Sequence, residues 1–195
     1  MQTILFLFLC DHKSLVKLWW MWQTLSIPSQ CWEEVSMDFI TGLPKSEGKS
    51  VIMVIFDRLT KYTHFFALSH PFNISTVSTA FMEIVQKLHG NPKIIVSDRD
   101  PIFTGNFWTK WFSCLGTQLA HSSSYHPQSY GQTEIVNKCL EGYLCFFVSD
   151  KQTQWFKWLP LEEWWYNTSF HTATKMTPFM ELYGYHPPSI TSSLK

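Results

Sequence analysis

Asp38, Asp98 and Glu134 are the residues whose types and placement could do chemistry. Asp38 lies between Met37 and Phe39 in VSMDFIT, an otherwise apolar run with the look of a core strand. An unpaired carboxylate is expensive to bury there, and a divalent cation would compensate for it directly. Asp98 closes KIIVSD, at the carboxyl end of a strand, where open α/β sheets favour ligand sites. Hard cations such as Mg²⁺ take oxygen ligands and use one or two carboxylates each, leaving room for water and phosphate oxygens. Two such ions about 4 Å apart activate the attacking oxygen and stabilise the leaving one in a phosphodiester displacement.

Glu134 follows Asp98 after 35 intervening residues and opens a helix behind the loop YHPQSYGQ. Its local pattern has two readings. Gln132 or Thr133 can start the helix, with Glu134 favoured by the dipole in its first turn. Glu134 and Lys138 then form an ordinary i,i+4 surface pair, worth about 0.2–0.5 kcal/mol. Alternatively, Glu134 completes a carboxylate cluster. Two further acids have structural readings: Asp57 precedes Arg58, near Lys61, and Asp100 precedes Pro101 in a turn. No histidine sits in a zinc-ligand pair beside a CxxC, which disfavours a zinc hydrolase.

The elements that must position these acids follow from hydrophobic patterning. Residues 35–41, 50–56 and 62–68 read as three successive strands, joined by segments containing Pro, Gly and charged residues. Helical spacing runs from Ser75 to His89 and stops at Gly90. A strand at 93–98, a helix at 105–115 and a strand at 117–120 come next. Helices over about 132–148 and 155–169 complete the order. In the first of these, Ile135, Val136, Cys139, Leu140, Tyr143, Leu144 and Phe147 share the apolar face. The order predicts an α/β fold with a mixed sheet and helices on its faces.

Composition narrows the function classes. The chain has 195 residues, 45% of them apolar, with 10 Trp and 16 Phe, enough for a substantial core and against global disorder. The formal net charge is zero, so a nucleic-acid grip by overall charge is excluded. The five cysteines form no CxxC pair, which fits a reducing intracellular compartment. TILFLFLC near the start is too short to span a bilayer. Sequons at Asn73 and Asn167 carry little weight, because so short a pattern is common.

The strings WEEVSMDFITGLPKS, FDRLTKYTHF, LHGNPKIIVSDRDPIF, LGTQLAHSSSYHPQSYGQTEIVNKCLEGYL and WLPLEEWWYNTSFHTATKMTPFMELYG follow one another in the chain. In that order they resemble the integrase catalytic core of gypsy-type long-terminal-repeat retrotransposons, within the retroviral integrase superfamily. The likeness covers about residues 26–188. It implies a ribonuclease-H-like fold, a five-stranded mixed sheet flanked by helices. It also implies that Asp38, Asp98 and Glu134 are the catalytic and metal-holding residues, with two Mg²⁺ or Mn²⁺ ions. The family's reaction is 3′-end processing of the element's DNA, followed by strand transfer into target DNA.

Residue by residue, the resemblance makes Lys138 a contact to DNA and puts Gln128, Tyr125 and His126 in the active-site loop as DNA-binding candidates. It departs from the family at Tyr130, where an aspartate is usual. It predicts a core at 31–188, a leader or zinc-region remnant at 1–30 and a tail at 189–195. The expected partners are element and target DNA and further copies of the chain, with no membrane, no small-molecule cofactor and a nuclear site of action. The alternative is a decayed or domesticated core that binds nucleic acid or protein without catalysis.

Overall fold

The computed structural model describes residues 28–98, 100–121, 136–140, 142, 152–172 and 174–188. Strand β2 (Val51–Asp57) is buried at every position. Because strand side chains alternate between faces, Val51, Met53 and Ile55 enter one core and Ile52, Val54 and Phe56 the other. A strand apolar on both sides has to lie inside a sheet covered on both faces.

The sheet is built around it. Strands β1 (Glu34–Ile40) and β3 (Thr63–Leu68) flank β2 antiparallel. Strand β4 (Ile94–Ser97) runs parallel to β1, and β5 (Gln118–His121) parallel to β4. The order is β3-β2-β1-β4-β5, the predicted five-stranded mixed sheet.

Helix α1 (Ile74–Phe81) starts where the Asn73 side chain accepts the Thr76 N–H at 2.9 Å. It continues through a wide turn, Met82–Gln86, and a last turn, Lys87–His89. Gly90, with φ 85°, ends it as the sequence pattern predicts. With α2 (Pro101–Thr104) and α3 (Asn106–Cys114), α1 covers the first face through Phe81, Phe103, Trp108 and Phe112. The second face is covered by α4, the helical residues 136–140, and by α5 (Trp155–Thr168). Val136, Leu140, Trp155 and Leu159 fill that core. Helix α6 (Pro178–Tyr183) packs Phe179 against Trp164 of α5.

Helices α2 and α6 are too short for periodicity to reveal. Their signal is a capping residue followed by proline: Asp100-Pro101 and Thr177-Pro178. Beyond 136–140 and Gly142, the predicted 132–148 helix lies outside the described residues. Within it Cys139 is exposed rather than on the buried face; among the described residues of this helix, Val136 and Leu140 are the ones in the core. No helix among the described residues is long and apolar enough to cross a membrane.

Helix α5 also seals the outer edge of β3. Asn167 accepts the Thr63 N–H and donates to the Thr63 carbonyl, both at 2.8 Å. Glu163 Oε2 accepts the Phe65 N–H at 2.8 Å. Asn167 is buried and fully engaged, which rules out its sequon as a surface acceptor in the folded chain. The other oxygen of Glu163 lies 3.0 Å from His64 Nδ1, and His64 Nε2 lies 3.0 Å from His89 Nε2. Trp32 stacks flat on the His89 ring at 3.8 Å. Burial, with His64 alongside, lowers the His89 pKa from 6.5 to about 4.

Glu162, beside this edge seal on α5, is fully buried, and neither carboxylate oxygen has a hydrogen-bond partner. Burial pushes its carboxyl up to about 8 from 4.5. The folded chain therefore retains this proton while the unfolded chain releases it, so stability falls as pH rises from about 4.5 to about 8. Glu162→Met is expected to flatten that slope and to raise stability near pH 8 by roughly 1–3 kcal/mol, read by denaturant unfolding. His89 acts in the other direction. Its neutral form is favoured by the fold, so its contribution is lost as pH falls from 6.5 to about 4. His89→Phe, which keeps a stacking ring, is expected to remove that part of the acid dependence of thermal unfolding.

Candidate active site

Parallel pairing of β1 with β4 positions the first two acids. The last registered pair is Met37 with Ser97, so the next residues, Asp38 inside β1 and Asp98 just past the end of β4, are neighbours. Parity turns Asp38 away from the Met37 core, onto the face that Ile40 shares with α4 and α5.

Both oxygens of Asp38 are held. Oδ1 accepts the Phe39 N–H and Oδ2 accepts from Asn137 Nδ2, each at 2.8 Å. Burial raises the Asp38 pKa, and the charges of Asp98 and Asp100 add to the rise; the two hydrogen bonds oppose it. Asp98 Oδ1 accepts the Asp100 N–H at 3.0 Å, and the Ser97 hydroxyl donates to the Asp98 carbonyl at 3.1 Å. Asp100 caps α2 by accepting the Ile102 N–H at 2.8 Å, the turn role its sequence position predicts.

Asp57 lies at the other end of the sheet, paired in register with Val35. Its carboxylate accepts from Trp32 N–H and from the Thr60 N–H and hydroxyl, fixing the β2–β3 turn. Arg58, expected beside it, pairs instead with Glu34.

Asn137 was assigned nothing by the sequence pattern. Its signal is weak: a polar residue between Val136 and Leu140, the two helical positions that enter the core. Lys138 lies on the exposed side of α4. Glu134, Gln128, Tyr125 and His126 lie outside the described residues.

The donors present suit a hard divalent ion. They are carboxylate oxygens, and among the described residues no cationic side chain pairs with Asp38 or Asp98. Asn137 Oδ1 is buried close by without a donor. Among the described residues no three His, Cys, Asp or Glu side chains gather to hold an ion, and Glu134, the third expected acid, lies outside them.

A five-stranded mixed sheet in this order with helices on both faces is the ribonuclease-H-like arrangement. Comparison with known proteins gives the family. Residues 27–127, slightly more than half of the chain, match the model of the integrase core domain. The chain belongs to the integrase core domain family. It is 35% identical over 156 residues to the Transposon Tf2-3 and Tf2-4 polyproteins of Schizosaccharomyces pombe, covering 80% of this chain. It spans only 12% of the length of those relatives. Among solved structures, the simian T-cell lymphotropic virus intasome in complex with PP2A regulatory subunit B56 gamma superimposes with a TM-score of 0.69 at 17% identity. That match covers 85% of this chain and 59% of that one. The HTLV-2 integrase catalytic core in complex with magnesium, in its trimeric form, gives 0.62 at 14% identity, covering 80% and 98%. At such identities the structural likeness speaks for the fold, which is the one the sequence predicts.

The raised Asp38 pKa has a consequence that needs no metal. With its folded value above the usual 3.8, ionised Asp38 subtracts from stability once the pH exceeds that value. In metal-free buffer at pH 7, Asp38→Asn is expected to unfold at a higher temperature than the wild type. A lower midpoint would mean that the carboxylate is compensated in the fold.

Proposed function

We infer that this chain carries the catalytic core of a retroelement integrase, and that it performs 3′-end processing and strand transfer on element DNA. The observation that carries this reading is the pair Asp38 and Asp98, brought together by the β1–β4 register, with no cationic side chain paired to either among the described residues. Membership of the integrase core family supports the class of reaction. The magnesium complex of the HTLV-2 core supports the choice of ion.

Asp38, Asp98 and Glu134 would hold two Mg²⁺ or Mn²⁺ ions. When bound, such ions polarise the phosphodiester and lower the pKa of the attacking water or hydroxyl. The chain's own contribution is placement. The sheet fixes two carboxylates, and the backbone N–H groups of Phe39 and Asp100 hold an oxygen of each. Lys138, on the exposed side of α4, would offer a positive charge to the DNA phosphates; Gln128, Tyr125 and His126 stay DNA-binding candidates on the sequence resemblance alone. With a net charge of zero, the core needs further domains or further copies for a firm grip on DNA, which fits a multimer assembled on DNA in the nucleus. The core is placed at residues 31–188.

The test uses the purified chain, Mn²⁺ and a labelled duplex carrying an element end. Metal-dependent nicking or joining is expected, falling to background in Asp98→Asn. Duplex binding by both proteins, with equal and absent turnover, would instead identify a non-catalytic binding module.

A further inference from the structure

Asn137 is one of the few polar side chains on the face of α4 that meets the sheet, and its hydrogen bonding is lopsided. A carboxylate only accepts, so the Asn137 amide has to present Nδ2 to Asp38. It does so at 2.8 Å. The same orientation turns Oδ1 away from Asp38, where it is buried and receives no donor among the described residues. A buried acceptor without a donor carries a desolvation penalty that folding alone does not recover. Val136 and Leu140, buried on either side, anchor the helix and keep the amide at this spot.

Asp38 is correspondingly fixed. One oxygen is held by its own strand through Phe39 N–H and the other by α4 through Asn137, so the carboxylate cannot rotate without losing a bond. The amide thus keeps a carboxylate oriented, and beside it leaves an acceptor that no described residue satisfies.

Resting on the metal-dependent reading above, we propose that Asn137 is a positioning residue of the metal site. It orients Asp38 for a divalent ion, and its Oδ1 is satisfied by a water of the ion's hydration shell. Residues that orient metal-binding side chains typically change metal affinity 10–100-fold when removed, by order of magnitude. A merely structural tie between α4 and the sheet would leave affinity unchanged.

The experiment is Mn²⁺ binding to the full chain, followed by electron paramagnetic resonance of the free ion. It is paired with the rise in unfolding temperature that Mn²⁺ produces. Wild type, Asn137→Leu, Asn137→Ala and Asp98→Asn are compared, with near-ultraviolet circular dichroism confirming that each is folded. The leucine variant conserves volume and the alanine variant avoids crowding. Both are expected to weaken Mn²⁺ binding by roughly 10–100-fold and to shrink the metal-induced stabilisation. If both bind Mn²⁺ like the wild type while Asp98→Asn does not, the positioning role is overturned and the metal site stands. If the wild type takes up no Mn²⁺, the metal-dependent reading fails, and the proposal fails with it.

Discussion

Parallel pairing between β1 and β4 is the constraint on which the rest of this structure depends. It brings together two segments about sixty positions apart in sequence, and its register sets Asp38 beside Asp98. A slip by one residue would send Asp38 into the opposite core, towards Phe81 and Phe112, and would expel Met37 from it. The fully apolar β2 and the aromatic cluster of α1 and α3 specify that register by giving each face its own complement of side chains. The fold is thus rigid where two like charges must be held near each other.

That arrangement is costly to the protein itself. Asp38 is half-buried and close to two other acids, and among the described residues a backbone N–H and an amide are what relieve it. Elsewhere the same chain handles acids conventionally: Glu34 pairs with Arg58, Glu33 with Lys93, and Asp57 gathers turn donors. The contrast is what motivates the proposed role of Asp38 and Asp98. Charge left without a cationic partner among the described residues is a local inconsistency of the sort that marks sites in otherwise consistent folds.

Much of this was legible in the sequence, for identifiable reasons. Strand parity and continuous apolar runs located all five strands, and the order of elements predicted the mixed sheet. Asp38 declared itself because an acid between Met37 and Phe39 has no ordinary place in a core strand. Other features were hidden. Asn137 gave no sign of its bond to Asp38, because that contact joins positions 99 residues apart and depends on how α4 lies on the sheet. Arg58 was assigned to its neighbour Asp57, whereas antiparallel pairing put Glu34 within reach. Glu162 and Glu163 look alike in the string WLPLEEWWYN. Helix geometry sends one into a dry interior and the other to the strand edge.

The edge seal on β3 has a bearing on association. Two outward N–H groups of that strand, at Thr63 and Phe65, are already taken by Asn167 and Glu163. Another chain cannot dock there by extending the sheet without first displacing α5. The same helix hides Trp155 and Leu159 against the sheet. A chain cut short before Trp155 would therefore bare an unpaired strand edge together with part of an apolar face. Its fate would be intermolecular β-pairing and aggregation, so α5 acts as a solubility device as well as part of the core.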